Sequence, residues 1–141
     1  MSGYLLDTNC ISELVRREPE PRVVEWVEAA DETMLYLSVL TLGEIRKGLA
    51  ALVEGKRKTR LEGWLEVDLQ TRFAGRILPI DSGVANRWGS ITAQAERGGK
   101  VLPVIDGLLA ATALHHDLTV VSRNASDFQH SLVRVLNPWL D

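Results

Sequence analysis

The stretch "YLLDTN", Tyr4–Asn9, sets three largely apolar side chains directly against an aspartate, a threonine and an asparagine. An apolar run of this length reads as a short buried strand, and the polar triplet marks where it ends. Residues 8–17, "TNCISELVRR", follow with Ile11, Leu14 and Val15 at helical spacing, and "EPEP" at 18–21 breaks that helix. The helical pattern resumes over 22–30 through Val23, Val24 and Val27. "TMLYLS" at 33–38 is a second run of strand length. Residues 41–55 predict a helix begun at Thr41 and stopped near Gly55, and 56–75 predict another.

Further out, "RILPID" at 76–81 is a short extended segment, and 82–99 predict a helix capped by Ser82 and stopped at Gly98–Gly99. Residues 104–116, "VIDGLLAATALHH", form a strongly apolar helix. "LTVVS" at 118–122 is a strand rich in β-branched residues, and "LVRVLNPW" at 132–139 is a last strand ended by Pro138. Strands separated by helices imply crossover connections, hence an α/β domain with a parallel sheet and helices on its faces. No repeat, low-complexity tract or flexible linker interrupts 1–141, so a single domain is the expectation.

The bulk composition limits the functional classes. With 141 residues, 45% apolar and 25% charged, the chain suits one hydrophobic core rather than global disorder. A formal net charge of −3 argues against nucleic-acid binding by bulk charge, though not against a local basic patch or a metal-mediated contact. Cys10 is the only cysteine, so no intrachain disulfide can form. The opening residues lack the pattern of a signal peptide, and no apolar run is long enough to span a membrane. These features set a cytoplasmic expectation.

Ligands of a parallel sheet bind beyond the carboxyl ends of its strands. Asp7 follows the first strand, Glu44 lies in the first turn of the helix after the second, and Arg123, Asn124 and Asp127 follow "LTVVS". Asp106 sits in the first turn of the apolar helix. If these strands are neighbours, the acids converge on one edge. Clustered carboxylates repel one another, and a divalent cation relieves that repulsion; oxygen ligands suit Mg²⁺ or Mn²⁺ rather than zinc.

Each acid also has a local explanation. Asp7 can cap the next helix, Glu44 stands three residues after Thr41 as in a capping box, Asp106 complements a helix dipole, and Asp127 is a turn residue. The residues alone leave both readings open. Asp106 is the hardest to explain locally, because Val104, Ile105, Leu108, Leu109 and Ala110 surround it in sequence.

The motifs "LLDTNCISEL", "LSVLTLGEIRKG", "DGLLAATALHHDLTVVSRNASDF" and the closing "NPW" resemble, in order and over nearly the whole chain, the PIN-domain ribonucleases, and more narrowly the VapC/FitB-type toxins of bacterial toxin–antitoxin pairs. The resemblance implies a three-layer fold with a central parallel β-sheet flanked by helices. It places Asp7, Glu44 and Asp106 at the family's three acidic metal-site positions, with Asp127 as the fourth acid. It makes Thr8 a hydrogen-bonder beside the site, and Asn124 and Arg123 candidates for orienting or contacting substrate. It implies Mg²⁺, with Mn²⁺ as a possible substitute. The implied reaction is hydrolysis of RNA by activated water, leaving 5′-phosphate and 3′-hydroxyl ends. The implied partners are a VapB/FitA-like antitoxin, a second copy of the chain, and a larger toxin–antitoxin complex.

Two other readings remain. One is a binding module of the same fold with weak or lost catalysis, kept open by the neutral Asn124. The other is a different α/β phosphate enzyme, which the absence of a D-x-D motif and of a glycine-rich phosphate loop disfavours. His115 and His116 are consecutive on a helix and cannot face one point, which disfavours paired histidine catalysis. Cys10 reads as a packing residue. Six Lys/Arg between Arg46 and Arg60, with Glu54 the only acid after Glu44 in that span, read either as a solvated turn or as an RNA contact. Trp26, Trp64, Trp88 and Trp139 are scattered and read as packing residues.

Overall fold

The computed structural model describes residues 3–141; Met1 and Ser2 lie outside that range. β1 (Tyr4–Leu6) runs into α1 (Thr8–Leu14), and α2 (Pro21–Ala29) follows the break, with Pro21 opening the helix where its missing N–H is harmless. β2 (Leu35–Ser38) leads into α3 (Val39–Ala50). α4 (Lys56–Gly63), a π turn (Trp64–Asp68) and α5 (Leu69–Arg72) make one rod, and β3 (Ile77–Leu78) follows it. The remainder is α6 (Ser82–Arg97), α7 (Val104–His115), β4 (Thr119–Val121), a single helical turn (Ala125–Phe128) and β5 (Val135–Leu136).

The five strands lie in the order β3-β2-β1-β4-β5, and every pairing is parallel. Tyr4 pairs with both Leu35 and Thr119, and Leu6 with Val121, so β1 and β4 end at the same level. The chain builds outward from β1 in one direction and later returns to build from β4 in the other. That reversal opens a crevice between the carboxyl ends of β1 and β4.

Alternation along the strands divides the interior. Leu6 and Val121 pack with Ile11, Val23, Ile45, Leu61 and Phe73 on the face covered by α1 to α5. Leu5 and Val120 pack with Val84, Ile91, Leu109 and Phe128 on the face covered by α6 and α7. Sheets buried on both sides carry apolar residues at nearly every position, as "YLL" and "TVV" do. No described helix is long and apolar enough to cross a membrane.

Several boundaries differ from the sequence expectation. The helix after β2 starts at Val39, two residues earlier than Thr41, because the Ser38 hydroxyl accepts the Leu40 N–H at 3.0 Å and caps it. Asp81, not Ser82, caps α6 by accepting the Val84 N–H at 3.0 Å. The last strand is confined to Val135–Leu136, because Leu132 takes a left-handed backbone at φ +66° that no strand continues through.

Glu13 is a buried carboxylate (3% exposed) that ties α1 to the entry of α2. It accepts two hydrogen bonds from Arg16, at 3.0 and 3.1 Å, and the Glu20 N–H at 2.8 Å. Glu13→Ala strands that N–H and frees the guanidinium, and is expected to lower stability by about 1–3 kcal/mol, read from the urea midpoint. An unchanged midpoint means the clamp contributes nothing.

Candidate active site

Asp7 occupies the crevice at the carboxyl end of β1. Its backbone is extended and its N–H donates to the Val121 carbonyl at 2.9 Å, so it completes the β1–β4 pairing before the chain turns into α1. One carboxylate oxygen accepts the Thr8 N–H at 2.8 Å, which is the capping role; the other accepts the Ser122 hydroxyl at 2.7 Å and the Asn9 amide at 3.4 Å. The side chain is 7% exposed. Burial raises its pKa above the ordinary value; the Ser122 and Thr8 hydrogen bonds oppose that, and the charges of Glu44 and Asp127 add to it.

Glu44 lies in the second turn of α3, because the helix starts at Val39. The capping-box reading with Thr41 therefore fails. Thr41 is fully buried, its hydroxyl 3.2 Å from that of Thr8, and the Thr8 hydroxyl donates to Glu44 at 2.6 Å. Thr8 thus spends its donor on holding Glu44 toward the crevice rather than facing outward to a substrate.

Asp106 stands in the first turn of α7, half-buried. Its carboxyl is pushed up to about 6, first by burial and then by the charges of Asp127, Asp7 and Glu44. Four carboxylates drawn from distant parts of the chain therefore act on each other at one sheet edge. Asp127 sits in the helical turn after β4, exposed, with its N–H on the Asn124 carbonyl at 3.0 Å. Asn124 donates its own N–H to the Ser122 hydroxyl at 3.0 Å.

Ser122 was not singled out by sequence reasoning, yet its fully buried hydroxyl joins Asp7, Asn9 and Asn124. A serine closing a strand carries no local signature; its register beside Asp7 is the signal, and that appears only once β1 and β4 pair. Arg123 follows it, but its guanidinium lies over the Trp139 ring, 5.6 Å from the centroid. The Arg123 N–H donates to Asn9 at 3.3 Å, and its carbonyl accepts the Asn137 amide at 3.2 Å. Among the described residues Arg123 forms no ion pair with the acids.

The alternative catalysts lie elsewhere. His115 and His116 are exposed at the far end of α7, about 14 Å along the axis from Asp106. Cys10 is buried, its thiol donating to the Val121 carbonyl at 3.2 Å, and burial with the charges of Asp7 and Glu13 pushes its pKa far above the ordinary thiol range. Such a thiol is no nucleophile.

The donor set around the crevice is all oxygen, and its members raise each other's proton affinity. That chemistry fits a hard divalent cation such as Mg²⁺ or Mn²⁺. Among the described residues no three His, Cys, Asp or Glu side chains are already closed into a metal-ligand group, so the acids meet through charge rather than through a preformed cage.

The family model described as PIN domain matches residues 4–130. The chain is 42% identical to "VapC ribonuclease Y4jK" of Sinorhizobium fredii over 135 residues, 96% of each protein. It is 44% identical to "Toxin FitB" of Neisseria gonorrhoeae over 137 residues, 97% of this chain and 99% of that protein. The crystal structure of FitAcB from Neisseria gonorrhoeae superposes with a TM-score of 0.92 at 44% identity, covering 96% of this chain and 98% of that one.

Proposed function

The chain belongs to the PIN-domain family, in its VapC/FitB group, and from that premise we propose that it is a metal-dependent endoribonuclease toxin held in check by a cognate VapB/FitA-like antitoxin. The observation that carries this reading is the mutual effect of Asp7, Glu44, Asp106 and Asp127 at the β1–β4 crevice, expressed in an Asp106 carboxyl pushed up to about 6.

Asp7 and Asp106 would hold the ion, with Glu44 completing the ligands. Bound there, Mg²⁺ (or Mn²⁺) supplies charge stabilisation to a phosphoryl group and makes water more acidic. Ser122 and Thr8 fix the carboxylates of Asp7 and Glu44, so neither needs to reorganise during the reaction. Asp127, exposed at the mouth, is the base that takes the proton of the attacking water. Attack on phosphorus by water, not by the RNA 2′-hydroxyl, leaves 5′-phosphate and 3′-hydroxyl ends. Asn124, tied through its backbone to Ser122, orients water or substrate at that side.

Partner structures support the antitoxin: solved relatives of this group are "FitAcB" and "FitAB bound to IR36 DNA fragment". We extend this to a homodimer within a larger toxin–antitoxin complex acting in the cytoplasm. The test is expression of the chain alone in bacteria, with RNA ends mapped by sequencing. Growth arrest with new 5′-phosphate ends is expected; arrest with 2′,3′-cyclic phosphate ends overturns the water mechanism.

A further inference from the structure

We propose that a groove between the end of α1 and the α4–π-turn rod is a binding track for single-stranded RNA leading to the acidic crevice, with Arg17, Lys56, Arg57 and Arg60 holding phosphates and Trp64 stacking a base; this rests on the ribonuclease reading above. The groove has a volume of about 720 Å³, a floor of Leu14, Val15, Leu61 and Trp64, and those cations on its rim. A second hollow of about 250 Å³ shares Val15, Arg16, Arg57, Leu61 and Trp64 with it and is lined by Glu44. The two hollows therefore adjoin, and the smaller one is lined by a residue of the candidate active site.

The charges favour a polyanion. Elsewhere Arg22, Arg46, Lys58, Arg72, Arg76 and Arg134 each face a carboxylate, and Arg16 of the groove lining is held by Glu13. Lys47, Arg87, Arg97, Lys100 and Arg123 are dispersed without an ion pair among the described residues, so it is clustering that marks the groove. Among the described residues Arg17, Lys56, Arg57 and Arg60 form no ion pair, and Asp68 is the lone acid lining the wide part of the groove. Lys56 and Arg60 are one helical turn apart on the same face of α4. A positively charged channel beside an aromatic face is how single strands are held without regard to sequence. In a chain of net charge −3, this patch gives RNA a local place to bind that the whole-molecule charge does not.

The backbone supplies a second, independent pointer. Trp64 opens the π turn, and its carbonyl accepts the Leu69 N–H, five residues on. Trp64 continues the face set by α4 and lines both hollows, while the extra residue turns the chain that follows it, Leu69–Arg72, relative to α4. Such turns cost helix regularity and recur at functional sites. The ring is half-buried, with its inner side against the core and the remainder available to a base.

The test measures binding of a short fluorescein-labelled single-stranded RNA by anisotropy in EDTA, over a range of salt, and RNA cleavage with Mg²⁺. Arg57→Ala/Arg60→Ala is expected to weaken binding at least tenfold at low salt. It should also reduce the slope of log affinity against log salt by about 1.4, the share of two single-strand phosphates, and raise KM for RNA. Trp64→Leu is expected to weaken binding about 5- to 100-fold, with Trp64→Phe restoring most of it. The control Arg22→Ala/Arg134→Ala removes equal charge outside the groove. Equal loss in the control, or unchanged affinity and salt slope in the groove variants, overturns the track. Retained RNA affinity with lost affinity for a synthetic acidic amphipathic peptide also overturns it, in favour of a protein occupant. An unaltered chain that never cleaves RNA in Mg²⁺ overturns the ribonuclease reading itself.

Discussion

Asp7→Asn is expected to lower RNA cleavage by about 1000-fold while raising the thermal midpoint of the metal-free protein by about 2–5 °C. The two effects share one cause. Asparagine is as good a helix cap as aspartate and keeps an oxygen for the Thr8 N–H, so the local fold survives. It cannot contribute the negative charge that a divalent cation requires. Burial raises the Asp7 carboxyl above its ordinary value of 3.8, so the side chain's contribution to stability is present below that value and is lost as pH rises through the folded one. At neutral pH the ionised form is therefore a cost that the amide removes. Cleavage assays on labelled RNA and calorimetry of the same two samples check both parts. Activity within tenfold of the unaltered chain removes Asp7 from the chemistry, and a fall in midpoint means the substitution damaged the fold instead.

Chelation is expected to bring RNA cleavage to background, and Mg²⁺ to restore it with a pH dependence set by Asp106. Its carboxyl at about 6 is protonated below that pH in the metal-free chain. A protonated ligand must lose its proton before it can bind, so affinity for Mg²⁺ falls as pH drops through that range. The same sign holds for stability. The raised carboxyl favours the fold below 3.8, and that contribution disappears as pH rises toward about 6, where the ionised cluster strains against itself. Mg²⁺ at a hundredfold excess over its Kd should then add about 2.7 kcal/mol of stability above that pH and much less below it. Thermal scans with and without Mg²⁺ across the range measure this. A metal increment independent of pH excludes Asp106 as a ligand, and cleavage that persists in EDTA excludes a metal role altogether.

The sheet could be anticipated from sequence because both of its faces are buried, so "YLL", "LYLS" and "TVV" carry apolar side chains inward on either side. Strand-end logic also located Asp7, Glu44 and Asp106, and the structure brings them to one edge within range of each other's charge. What escaped was non-local. The Thr8–Glu44 hydrogen bond joins residues 36 apart, and Ser122 reaches Asp7 across 115 residues; neither pairing leaves a trace in its own neighbourhood. The Thr41–Glu44 spacing imitated a capping box because the true cap, Ser38, closes the preceding strand and was read only as its last residue. The ring contact of Arg123 with Trp139, sixteen residues on, is equally invisible from either residue's own neighbourhood. Trp64 packs against the core as expected of a scattered tryptophan, while the π turn that it opens leaves no trace in composition.

The β1–β4 register has a consequence for how the chain is made. β1 is synthesised first, yet one of its flanks and the hydroxyl that fixes Asp7 come from Thr119–Ser122. A chain still emerging from the ribosome has Asp7 and Glu44 long before it has Ser122, Asp127 or the strand that aligns them. Contacts this distant in sequence close late. The acidic crevice is therefore assembled only after β4 has been made, and a prematurely terminated product that lacks β4 is expected to be an inert fragment, not a partly active one.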